Sequence, residues 1–142
     1  MSATFRVSAA LWAGLALTVF AAAFSFVADL LADHLRAGYP SYTPAQLGAA
    51  VDTCRGLLAV VGAAGVVTWL ATILAVRAGK RWARATATVG LVLGVSVGLT
   101  GLLIRDTSGD TGLPPALGWA GMTPCVAGVL AVVWLWRRPR TA

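Results

Sequence analysis

Four stretches of this sequence are each about twenty residues long and nearly free of charge, and this pattern constrains the fold more than any other feature. They run from about Val7 to Leu31, Gly56 to Val76, Ala83 to Ile104 and Leu117 to Trp136. An α-helix rises about 1.5 Å per residue. Twenty apolar residues therefore cross the roughly 30 Å hydrocarbon core of a bilayer. The expected fold is all-α: one domain over residues 1–142, a bundle of four transmembrane helices. The connections are short, so consecutive helices are expected to be antiparallel neighbours. Composition agrees. The chain is 58% apolar and 11% charged, against about 45–50% and about 25% in soluble domains. A soluble chain this small has too little interior to hide so much apolar surface. Disorder needs the opposite composition. The first apolar stretch also exceeds the 7–15 residues of a signal-peptide core and reads as a retained helix.

Charge placement sets an orientation. Arg6, Arg77, Lys80, Arg81, Arg84, Arg137, Arg138 and Arg140 fall on one side of the predicted membrane. Arg36, Arg55 and Arg105 fall on the other, with all five acids: Asp29, Asp33, Asp52, Asp106 and Asp110. One face is +8 and the other −2, which accounts for the net charge of +6. Basic residues stay cytoplasmic, so a multi-pass protein of the cytoplasmic (inner) membrane is expected, with both termini inside. The positive charge thus reports topology, and no nucleic-acid partner is expected. Trp82, Trp134 and Trp136 on the basic side, and Trp119, Tyr39 and Tyr42 on the other, suit the interfacial belts where amphipathic rings collect. Trp69 lies deeper and is expected inside the bundle.

A weak internal repeat is visible. Leu47-Gly48, Thr53-Cys54 and Gly56–Val61 resemble Leu117-Gly118, Thr123-Pro124-Cys125 and Gly128–Val133. If the repeat is structural, two tandem helical hairpins are related by a pseudo-twofold axis along the membrane normal. Cys54 and Cys125 then lie at matched depth near the outer ends of their helices. They are either a disulfide pair or two small buried hydrophobes, which free cysteine resembles. The third span carries Gly90-x-x-x-Gly94-x-x-x-Gly98, a stripe that lets another helix approach closely. Ser96, Thr86, Thr88 and Thr100 add hydroxyls that bond along or across the helix. Pro124 is expected to kink the fourth helix. Thr43-Pro44 reads as an N-cap followed by a first-turn proline. A helix from there to Val76 is longer than the bilayer is thick, so its first turns, Ala45 to Arg55, are expected outside the membrane.

Ionisable residues near the membrane are the candidates for chemistry. Asp29 and Asp33 stand one helical turn apart, as do Asp52 and Arg55. Arg105 and Asp106 close the third span. The candidate catalytic set is Asp29, Asp33, Asp52 and Arg55, and the candidate ligand set is Asp29, Arg55, Arg105 and Cys125. Asp29 is the most embedded, with Arg55 or Arg105 as its expected partner. The bland alternative is that these charges end the helices in water. His34 is the single histidine, which rules out bis-histidine haem within one protomer. No short Cys/His spacing of a zinc site occurs, and neither cofactor nor metal is expected.

The basic turn Gly79-Lys80-Arg81-Trp82-Ala83-Arg84, with ten Arg to one Lys and no Asn, resembles small four-helix membrane proteins of high-GC actinobacteria. Phe24-Ser25-Phe26 is faintly similar to the anthrone-oxygenase-like membrane proteins. That family's Asn/Pro/Leu-rich motif after the third helix is replaced here by Arg105-Asp106-Thr107-Ser108, and no catalytic residue is carried over. The first functional expectation is a structural or accessory subunit acting through helix–helix packing, in a homo-oligomer or larger membrane complex. The second is a membrane-embedded enzyme or binding protein for a lipophilic small molecule. The third is a small transporter, which the lack of a midplane carboxylate disfavours.

Overall fold

The computed structural model describes residues 3–27, 29–105, 107, 109–111 and 112–137. Five helices follow in order: α1 (Ala3–Val27), α2 (Leu30–Gly38), α3 (Pro44–Arg77), α4 (Ala83–Leu103) and α5 (Pro115–Arg137). The four long ones are apolar and long enough to cross a membrane. They form a ring in which α1 touches α3 and α5, and α4 touches the same two. Chain neighbours are spatial neighbours, and α1 against α5 closes the ring. Arg6, Arg77, Lys80, Arg81, Arg84 and Arg137 gather at one end, the basic end. Arg138, Arg140 and Asp106 lie outside the described residues.

The first span differs from expectation. It does not run on to Leu31: α1 stops at Val27, and Leu30–Gly38 form a separate short helix. The reason lies in the residues of α2. Leu31 and Leu35 recur one turn apart, with Asp33, His34 and Arg36 between and beyond them. The two leucines are buried against Val51 and Leu117 rather than facing lipid. Asp29 thus stands at the N-terminus of α2, and the Asp33 N–H donates to its carbonyl at 3.0 Å. Two further hydrogen bonds strap α2 to the α4–α5 loop. His34 Nε2 donates to the Thr111 carbonyl at 2.6 Å, and Tyr39 and Thr107 share one between their hydroxyls at 2.9 Å.

Helix α3 begins where its cap predicts. The Thr43 hydroxyl accepts from the Gln46 N–H, the Gln46 side chain answers the Thr43 N–H, and Pro44 opens the first turn. Its 34 residues span about 51 Å, well beyond the roughly 30 Å of hydrocarbon. The surplus forms the outward turns against which α2 packs. At the basic end the chain reverses through Gly79 at φ +63°, and the Lys80 N–H closes back on the Ala75 carbonyl at 2.9 Å. Such a left-handed stop favours glycine.

Helix α5 runs unbroken through Pro124. Proline removes the N–H that would bond the Ala120 carbonyl, and the Thr123 hydroxyl donates to that oxygen at 2.7 Å instead. Thr86, Thr88, Ser96 and Thr100 likewise bond back to the preceding turn of α4. Thr88 also accepts from Trp136 Nε1 across to α5 at 3.2 Å.

Two cores hold the ring. At the basic end Val7, Leu11, Ile73, Ala87, Ala131 and Leu135 are buried together. At the far end Leu31, Leu35, Val51 and Leu117 are buried together. Both cysteines are free, and they are not at matched depth. Cys54 precedes the basic-end terminus of α3, Arg77, by 23 residues, and Cys125 precedes that of α5, Arg137, by 12. The difference is about 16 Å along the bundle. The outward extension of α3 breaks the correspondence that the repeat suggested.

Candidate functional site: a central apolar cavity

Between the two cores, the side chains that face the bundle axis are small. Gly62 and Gly65 on α3, Gly90, Gly94, Gly98 and Gly101 on α4, and Gly118, Gly121 and Gly128 on α5 all line one central space. Ala22, Ser25 and Thr18 line it from α1. Small residues normally let membrane helices close on one another. Here neighbouring helices do close at several of these glycines, where an added Cβ would stand 2.9 Å from Ala22 at Gly62, 2.5 Å from Thr68 at Gly90 and 2.5 Å from Leu102 at Gly118, while the space they line between the helices stays open. The resulting cavity measures about 440 Å³, within the range of about 300–1,000 Å³ typical of small-molecule sites.

Its walls are apolar even where they carry hydroxyls. Thr18 donates to the Gly14 carbonyl and Ser25 to that of Ala22. Thr68 and Thr72 donate to Ala64 and Thr68 carbonyls. Trp69 Nε1 donates across the α1–α3 interface to Thr18 Oγ1 at 2.9 Å. The ring of Trp69 lies where a side chain at Gly14 would begin, so Gly14 is what lets α1 and α3 close around it. A cavity of this kind stays dry and takes apolar guests.

The space opens to the side. Helices α3 and α4 form the slimmest of the four ring interfaces. They meet closely at Gly90, where an added Cβ would stand 2.5 Å from Thr68 Cγ2. Further from the basic end, Val61, Leu93 and Val97 both line the cavity and remain 38%, 59% and 48% exposed. Residues that face a cavity and the outside at once mark its mouth. In a membrane, that mouth faces lipid.

The three glycines singled out in α4 are turned inward. Gly90 faces Thr68, Gly94 faces Cys125, whose Sγ would stand 3.7 Å from an added Cβ, and Gly98 lies under Met122. Of the polar candidates, the structure brings one pair together. Arg55 Nη2 stands 3.7 Å from Asp29 Oδ1, across the junction of α1 and α2. The Arg55 side chain is mostly buried, and its Nε has no hydrogen-bond partner. The Asp29 carboxylate is 87% exposed, so the rest of the protein does not cover it. Asp33 pairs with Arg36 at 3.2 Å on the surface. Asp52 is exposed, and so is Arg105, which pairs through its backbone with Thr111. Cys125 is in the cavity, about 12 Å along α5 from Leu117 in the far core, and does not join the charged group. Among the described residues no three His, Cys, Asp or Glu converge as metal ligands.

The sequence pointed to a cavity near Pro124 and Cys125, and both line this one, whereas the charged candidates Asp29, Asp33, Asp52, Arg55 and Arg105 do not. The signal present was the recurrence of small residues at helical spacing in α3, α4 and α5 together, rather than in α4 alone. No family model, curated protein or solved structure matches this chain.

Proposed function

We propose that this multi-pass membrane protein is a binding protein for a lipophilic small molecule, which it holds in the central cavity and admits from the bilayer between α3 and α4. The observation that carries this reading is the cavity's form: about 440 Å³ of apolar space, flanked at both ends by buried cores and open sideways. A water-soluble substrate would need a mouth at a membrane surface, whereas a lipophilic one arrives through the side. The basic end is proposed to face the cytoplasm, on the excess of Arg and Lys there. A packing subunit would turn its small-residue stripe outward to a partner. Here Gly90, Gly94 and Gly98 meet Thr68, Cys125 and Met122 of the same chain, which favours binding over assembly.

The test is to fill the cavity. A side chain added at Gly121 meets nothing within 4 Å and enters the open space. The wild-type protein and Gly121→Leu are purified in a mild detergent and compared by native mass spectrometry. The proposal expects an apolar small molecule or lipid retained by the wild type and lost from the variant, with the helical signal unchanged. Equal retention by both, or none by either after incubation with membrane lipid extract, would overturn it.

A further inference from the structure

The length of the cavity and its apolar walls point to one class of occupant. Its walls run from Leu58 to Thr72 on α3, from Ala87 to Gly101 on α4 and from Leu117 to Ala131 on α5. On each helix that is fourteen residue steps, or about 21 Å, so three walls agree on the length. An elongated apolar space of this length suits an extended hydrocarbon chain.

Just beyond one end of this cavity stands a donor in search of an acceptor. Arg55 is one turn beyond Leu58, the outermost lining residue of α3, and on the same face. Guanidinium groups only donate hydrogen bonds. The Nε and Nη2 atoms of arginine form the side-on edge of its fork, which matches the two oxygens of a carboxylate. In Arg55 that edge is poorly used. Asp29 approaches Nη2 alone, at 3.7 Å, and from the water side. The Nε is buried without a partner, a costly arrangement that an acceptor would relieve. Asp33, the other acid of this helix turn, is already covered by Arg36.

Resting on the reading of the cavity as a lipophilic-ligand site, we infer that its occupant is a long hydrocarbon chain ending in a carboxylate. The chain lies along the glycine level between α3 and α4. The carboxylate takes the Nε–Nη2 edge of Arg55, and Asp29 gives way to water.

The probes are hexadecanoic acid, with its carboxyl carbon labelled for NMR, and hexadecanol, titrated into the full-length protein in neutral detergent. The wild type is expected to bind the acid at least about tenfold more tightly than the alcohol, as a charge-assisted pair should. Arg55→Gln is expected to lose that preference while keeping its affinity for the alcohol, which also certifies its fold. Asp29→Asn is expected to bind the acid several-fold more tightly, because the guanidinium loses its rival; a merely structural ion pair would move it the other way. Equal binding of acid and alcohol by the wild type, or a preference that survives in Arg55→Gln, overturns the head-group assignment and leaves the cavity reading standing. Binding of neither probe above the level of Gly121→Leu overturns both.

Discussion

At the basic end of the bundle, Leu11, Ile73, Ala131 and Leu135 close on the axis and leave no room between the helices. About three turns further along, the same four helices present Ala22, Gly62, Gly94, Gly98 and Gly121, and about 440 Å³ stays open between them. The side chains at the two levels differ greatly. In lipid, helices gain little from hydrophobicity when they associate, so packing decides how near they come. At the glycine level neighbouring helices touch, as at Gly90 against Thr68, but the residues lining the space between them are too small to fill it. The buried cores fill the corresponding space at either end.

Substitutions at the two levels should behave oppositely. The largest effect is expected at Gly14, under the Trp69 ring. Gly14→Leu forces α1 from α3 and should cost about 3 kcal/mol, the upper end of overpacking, read by unfolding in mixed micelles. Leu11, 1% exposed in the solid core, comes next: Leu11→Ala should cost about 2 kcal/mol or more through the void it leaves. Thr18→Val removes the acceptor of Trp69 Nε1 and should cost about 1 kcal/mol, within the range of about 0.6–2 kcal/mol for a membrane hydrogen bond, with a shift in Trp69 fluorescence. The smallest stability change belongs to Gly121→Leu. Added bulk enters open space there, and the change should stay within about 1 kcal/mol while ligand retention disappears. Were Gly121→Leu to destabilise the bundle as strongly as Gly14→Leu, the two levels would not differ as described.

Much of this arrangement is readable from the residues and some is not. The four spans follow from apolar length, and the start of α3 follows from Thr43, Pro44 and Gln46. The break after Val27 has no proline or glycine to announce it. It arises because Leu31 and Leu35 find a tertiary partner in Val51 and Leu117, which no local pattern encodes. The glycines of α4 were legible as a stripe, but a stripe reads the same whether it meets a helix or a void. Which of the two occurs is decided by the residues that face it from other helices. Arg55 was legible as a partner for Asp29. Its unsatisfied Nε depends on the angle of approach, and so on the α1–α2 junction. The matched depth of the cysteines failed because α3 carries extra turns at one end.

The central claim is that the hollow level admits a hydrocarbon chain from the side. Thr72 tests it most directly: it lines the cavity and is 2% exposed, so lipid around the bundle does not touch its methyl group. The decisive measurement is the set of nuclear Overhauser contacts between acyl-chain protons and methyl groups in the reconstituted protein. The account predicts acyl contacts at Thr72 and Thr18 in the wild type, lost in Gly121→Leu, alongside contacts at the outward-facing Val60 and Val89 in both. Acyl contacts confined to Val60 and Val89, or contacts from Thr72 to water instead, would contradict it.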